Sequence, residues 1–215
     1  MRKPVQSTKQ RRAPTERPGE IIDAALALFV EKGFAATRLD DVAERAGLSK
    51  AAIYLYFTDK TALFQGVVRQ AVAVNLGTVE AMVKGHHGPV APLLPRILEF
   101  MASRIEQTPM AAVAKLVIAE SRAFPEIGRF YLKEVIGRGL PIMEGLIVRG
   151  IAQGEFRRVD PAMTVRSIMG AMLLAGLWRT VFEPIGAEPL DVTALARHHA
   201  DLMLHALLPE KAGPS

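Results

Sequence analysis

Between residues 37 and 57 the chain reads TRLDDVAERAGLSKAAIYLYF, and the middle of that stretch leaves few ways to fold. Ala43 and Gly47 lie four apart at the end of one short apolar-periodic segment. Ser49 opens the next after a turn too short to do anything but cross two helices steeply. Ala43 is small where the helices would cross, and Gly47 can take the positive φ of the turn. Ser49 is a good N-cap for a third helix reaching Phe57. Val42, Leu48, Ile53 and Phe57 supply a miniature core. The pattern is a helix-turn-helix, whose second helix enters a DNA major groove.

The flanking sequence agrees with this reading. GEIIDAALALFVEKG, after Pro18, places Ile22, Leu26 and Phe29 at helical spacing and offers Gly33 as a stop. Asp40, three residues after Thr37, reads as a capping-box variant for the second helix. Thr58 reads as the N-cap of a fourth helix that begins near Asp59 and Lys60 and runs to about Lys84. Beyond the break GHHGP, helices are expected near 92–107, 109–122, 125–150, 161–182 and 190–208, most with prolines at their starts, where a missing N–H is harmless. No apolar alternation of period two is present, so the expected class is all-α.

Charge is unevenly placed. The first twenty residues hold six basic groups against two acidic ones, out of a net +5 for all 215 residues. A basic, Pro-containing arm over 1–17 is expected to be disordered in isolation, either as a solubilising tail or as a contact to DNA phosphates. The absence of cysteine excludes a thiol nucleophile, a disulfide frame and a Cys-based metal site, and fits the cytoplasm. The start lacks the apolar region of a secretory signal. The longest uncharged apolar run, 167–178, is shorter than the roughly 20 residues needed to span a bilayer, so no membrane is expected as a partner.

From Ile21 to Phe64 the chain resembles the DNA-binding domain of the TetR (tetracycline repressor-like) family. It matches at Gly33, Thr37, Val42, Ala43, Ala46, Gly47, Ser49, Tyr54, Tyr56, Phe57, Lys60 and Leu63. The resemblance implies an all-α homodimeric regulator, usually a repressor. An N-terminal helix-turn-helix domain (18–65) would follow the arm, and a C-terminal helical domain (66–215) would bind a small-molecule effector and dimerise. It also implies that Lys60 contacts phosphate. Many relatives carry Thr or Ser just after the position of Thr37, where this chain has Arg38, a long cation able to reach a phosphate or a base edge.

At 100° per residue, Ile53 and Phe57 define the buried side of the third helix, and Ala51, Ala52 and Leu55 lie opposite. Tyr54 and Tyr56 fall on the two shoulders. A face without bulk at 51 and 52 lets the backbone sit deep in a groove while two phenols reach its walls. Alanine reads little beyond a thymine methyl, so base choice falls to Lys50, with Arg38, the arm and DNA shape. The expected DNA contacts are therefore Arg38, Ser49, Lys50, Ala51, Ala52, Tyr54, Leu55, Tyr56 and Lys60.

Residues 161–182 are apolar nearly all round, and 190–208 carries a stripe of Leu195, His199, Leu202 and Ala206. The resemblance makes these the pair of helices that dimerise. Candidate walls of an effector cavity, chosen by side-chain type at inward spacing, are Phe100, Met101, Leu116, Phe130, Met143, Met169, Met172 and Trp178, with Arg104 as an anion partner. Several methionines suggest a hydrophobic or amphipathic effector. His198, Asp201 and His205 share a face and His86 and His87 share a loop, but without cysteine or a Glu-x-x-His pair they read as surface or interface histidines. Neither a metal nor a cofactor is expected. Two alternatives stay open: an α-helical enzyme, for which no phosphate loop, nucleophile elbow or metal set is visible, and a DNA-bound regulator controlled by a protein partner.

Overall fold

Three carboxylates and one hydroxyl each start a helix. Ser49, Asp59, Asp160 and Asp191 accept a hydrogen bond from a backbone N–H in the first turn of the helices Lys50–Tyr54, Lys60–Val68, Pro161–Leu177 and Val192–Leu207, satisfying donors that a helix start leaves open. The computed structural model describes residues 17–209. Its α-helices are α1 (Arg17–Ala36), α2 (Leu39–Ala46), α3 (Lys50–Tyr54), α4 (Lys60–Val68), α5 (Val74–Lys84), α6 (Leu93–Gln107), α7 (Met110–Glu120), α8 (Pro125–Tyr131), α9 (Gly137–Ala152), α10 (Pro161–Leu177) and α11 (Val192–Leu207). No strand occurs among the described residues, and the fold is all-α. The basic arm lies outside them, apart from the backbone of Arg17, which already belongs to α1.

Several boundaries differ from the sequence reading. Gly33 does interrupt α1, at φ 80 and ψ 166. Thr37 does not cap α2; it is buried and its hydroxyl lies on Gly33 O at 2.8 Å, closing the end of α1. The reach-back instead comes one residue later, with Arg38 N donating to Asp41 Oδ2 at 3.3 Å. Asp59 rather than Thr58 caps α4, since its carboxylate takes Ala62 N at 2.7 Å. α3 stops at Tyr54, because the N–H groups of Tyr56 and Phe57 both turn onto Ile53 O at 3.0 Å.

The long C-terminal stretches are helical but not uniformly so. π-turns at Arg69–Ala73, Leu132–Ile136 and Trp178–Phe182 join α4 to α5, α8 to α9, and α10 to a short 3-10 turn. Pro141 sits inside α9, where it can supply no N–H to the ladder. With its continuation, α10 forms a helix over Pro161–Ile185, which is long and apolar enough to cross a membrane by length and composition. The uncharged run of 167–178 lies within this helix, which extends beyond the flanking Arg166 and Arg179. It is nonetheless built into the bundle: Val165, Ile168, Met172 and Ala175 are buried among α6, α9 and α11 residues.

Two apolar cores result. One gathers α1 to α4 with Val113, Leu116 and Val117 of α7 and Ile127 of α8. The other joins α5, α6, α9, α10 and α11, with α6 lying along α11. A ring cluster ties α7 and α8 to the N-terminal helices: Phe34 stands 5.4 Å from Phe29, 5.7 Å from Phe64 and 5.0 Å from Phe124. Beside it Glu120, the last residue of α7, accepts the Phe34 N–H at 3.0 Å.

Candidate functional site

The α2–α3 corner is built from its backbone. Gly47 takes φ 66 and ψ 32, the left-handed conformation open to glycine, and its N–H and that of Leu48 return to carbonyls at the end of α2. Ser49 Oγ then accepts Ala52 N at 3.3 Å and starts α3. Val42 and Ile53 are fully buried between the helices, while Leu48 and Phe57 pack at the edge. The side of α3 opposite Ile53 has no bulk. Ala51 is exposed and Ala52 half-buried, with Tyr54 49% and Tyr56 37% exposed on either side.

The expected contact residues divide by what they touch. Arg38 is exposed at the start of α2. Leu55 is 79% exposed and lies just beyond the end of α3, in the turn rather than on the helix. Lys50 crosses back to α2 and pairs with Asp40 at 2.9 Å, and that hydrogen bond holds its ammonium above the usual lysine range. Both partners are well exposed, and an ion pair of this kind is weak enough to yield to a nucleic-acid contact.

Lys60 is the exception among them. Its Nζ donates to Phe34 O at 2.7 Å and Ala35 O at 3.0 Å and stands 4.5 Å from the Phe34 ring centre. It therefore caps the end of α1, with one N–H left over. Burial pulls its pKa below the usual lysine range, against the opposing charge of Glu120. The spacing of TDKTALF carried no sign of this role, because the carbonyls come from residues 25 and 26 positions away.

A second feature lies in the C-terminal bundle. A cavity of about 380 Å³ opens between α5, α6, α7, α9 and α10, within the size range of small-molecule sites. Six of the nine expected wall residues line it: Phe100, Met101, Arg104, Met143, Met169 and Met172. Three do not. Leu116 turns into the N-terminal core, Phe130 packs beside that core beneath Arg69, and Trp178 sends its indole N–H to Glu188 O at 2.9 Å and meets the Phe182 ring at a tilt of 52°. Each has the right side-chain type but sits on a face committed to another neighbour.

The wall also holds polar groups that the sequence reading did not select. Asn75, Tyr131 and Arg166 join Arg104 there, and none of the lining residues is acidic. Asn75 is 9% exposed; its Nδ2 donates to Ala71 O at 2.9 Å, which turns Oδ1 to accept Arg104 Nε at 2.8 Å. The one available signal was an isolated asparagine within the apolar run AVAVNLG. Asn75 and Arg104 also border a crevice of about 220 Å³ whose other walls include Ile22, Asp23 and Leu26 of α1. This polar pair thus stands between the cavity and the first helix. Val72, Val135 and Ile136, which lie in π-turns, line the cavity too, in keeping with the tendency of such turns to occur at functional sites.

The histidines gather no metal set. His205 Nδ1 lies 3.3 Å from Asp201 Oδ1, His199 Nε2 meets Ile168 O at 3.1 Å, and His86 Nε2 meets Pro89 O. No cluster of three His, Cys, Asp or Glu residues occurs among the described residues.

Comparison with known proteins covers both features. Residues 21–67 match the model for bacterial regulatory proteins of the tetR family, and residues 92–206 match that for the C-terminal domain of AefR-like transcriptional repressors. The HTH-type transcriptional regulator RutR of Escherichia coli is 30% identical over 171 residues, 71% of this chain and 70% of that one. Among solved structures, the transcriptional regulator FadR of Bacillus subtilis in complex with stearoyl-CoA superposes with a TM-score of 0.67 at 20% identity, over 87% of this chain and 98% of that one. A protein from Saccharomonospora viridis in complex with choline gives 0.73 at 20% identity, over 91% and 100%.

Proposed function

This chain belongs to the TetR family of bacterial regulatory proteins, a family of DNA-binding transcriptional regulators, and from that premise we propose that it is a repressor that binds a palindromic operator as a homodimer and is released by a small hydrophobic or amphipathic effector. In this reading 18–65 is the DNA-binding unit and 66–215 the effector and dimerisation unit. The observation that carries it is the α3 surface: a flat alanine face between two exposed tyrosines, on a helix set by the Gly47 turn. Such a face fits a major groove closely while the phenols meet the phosphate walls.

The cavity supports control by a small molecule over control by a protein partner, since a mostly apolar hollow with four polar groups has the make-up of a ligand site. Dimerisation has its own support. Met163, Leu174 and Leu202 are 61%, 53% and 49% exposed on the outer side of α10 and α11, and α10 also carries the small exposed Gly170. Only 22% of an 18-residue apolar stretch of the Pro161–Ile185 helix is buried within the subunit, and a second copy of the same face would cover more of it.

Paired DNA measurements test the α3 assignment. Tyr56→Phe is expected to weaken binding to the selected operator and to scrambled duplex alike, leaving the salt slope unchanged because no charge is lost. Lys50→Ala is expected to reduce the ratio between operator and scrambled duplex by roughly tenfold or more. Equal losses on both duplexes for Lys50→Ala would remove Lys50 as the reader of bases.

A further inference from the structure

The cavity wall carries one cation with no ion-pair partner among the described residues. Arg166 also lines the cavity, but its Nη1 is bound to Ala162 O at 2.8 Å and lies 3.6 Å from Glu144. Arg104 has no such neighbour: among the described residues no carboxylate pairs with it, and its one side-chain bond is from Nε to the neutral Asn75 Oδ1. Asn75 is itself oriented by Ala71 O, so Nε is fixed and the guanidinium is held in one orientation with both Nη groups uncommitted. An oriented pair of N–H donors is the geometry that takes a carboxylate in a two-bond fork.

The rest of the cavity sets the other end of the ligand. Val79, Phe100, Met101, Ile105, Leu140 and Met172 are typical of its walls, which offer contact area and almost no hydrogen bonding. Tyr131 adds a phenol that has no hydrogen-bond partner among the described residues, and burial raises its pKa, so it remains a donor at neutral pH. Unpaired positive charge in a low-dielectric wall disfavours a second cation. A quaternary ammonium also meets little of the aromatic surface that would hold it, since Phe100 and Tyr131 are the only rings in the lining.

We propose that the effector is a free amphipathic carboxylic acid, its carboxylate held by Arg104 and its aliphatic body filling the apolar cavity. This rests on the reading of the cavity as an effector site. Because Arg104 and Asn75 also border the crevice against α1, the carboxylate would dock on the wall nearest the DNA-binding helices.

The test uses the full chain and four probes of one chain length: decanoate, decanol, decyltrimethylammonium and decanoyl-CoA, each kept below its micelle threshold. Calorimetric affinity and release of bound operator DNA are read together. Decanoate is expected to bind the wild-type protein at least about tenfold more tightly than decanol, with no measurable binding of the ammonium, and to release DNA. Arg104→Gln is expected to abolish that preference while leaving decanol within about twofold of its wild-type affinity. The wild-type comparison needs no variant, so it decides even if the substitution impairs folding. Equal affinity for decanoate and decanol, tighter binding of the ammonium, or tighter binding of decanoyl-CoA than of the free acid would each overturn the assignment. Failure of the underlying reading looks different: no probe, charged or neutral, would bind or move the DNA.

Discussion

Replacing Phe34 with alanine is expected to lower the unfolding free energy by about 3–5 kcal/mol, as emptying a fully packed aromatic site does. Phe34 is 2% exposed and touches Phe29, Phe64 and Phe124 edge to face or tilted, with the Lys60 ammonium over its ring. The cluster is shared between the N-terminal helices and the segment joining α7 to α8, so the same change loosens their mutual attachment. Against a typical domain stability of about 5–15 kcal/mol the variant would be marginal. Urea titration followed by circular dichroism measures the loss directly. Leu55→Ala is the control, because Leu55 is 79% exposed and an exposed apolar side chain is worth roughly 0.5 kcal/mol or less. A small change for Phe34→Ala would mean that the ring cluster does not hold the two groups of helices together.

The second large effect concerns assembly. Leu174→Arg places a charge on the outer face of α10, where the side chain is 53% exposed in the single subunit. Helicity and monomer stability should therefore hardly change. In a face buried against a second copy, two opposed arginines would be desolvated and repel, which is strongly unfavourable. The expected result is a monomer by sedimentation at concentrations where the wild type is dimeric. Operator affinity should fall by roughly 10²–10⁴-fold, because the second half-site is no longer tethered to the first. A Leu174→Arg protein that stays dimeric and binds DNA normally would place the dimer face elsewhere.

The N-terminal helices were legible because their signals are local. Gly47, Ser49, Val42 and Ile53 specify the corner within twelve residues, and the structure places each in the role its type suggests. Errors of one residue arose where two capping groups compete. Thr37 could close α1 or open α2, and burial decided for α1. Thr58 and Asp59 stand side by side, and the carboxylate is the stronger acceptor for Ala62 N.

The cavity was legible only in part, for a different reason. Helical spacing places Phe100, Met101 and Arg104 on an inward face of α6, but it does not say which neighbour an inward face meets. Leu116 and Phe130 are inward too, toward the N-terminal core. That choice depends on how α7 and α8 cross α1 and α4, a contact between residues some 90 positions apart, as Phe34 and Glu120 illustrate with a separation of 86. Asn75 escaped notice because a single polar residue in an apolar helix has no period. Its partner Arg104 is 29 residues away.

Operator-specific regulation by this protein depends on α3 holding a specific duplex, and selection from a random-sequence DNA library at stated salt tests this most directly. Wild-type protein is expected to enrich a palindrome whose half-sites lie about one helical turn, or a whole number of turns, apart, in keeping with a two-fold symmetric pair of α3 helices. Enrichment of no palindrome, or binding that falls with salt in the same way for every duplex, would contradict it.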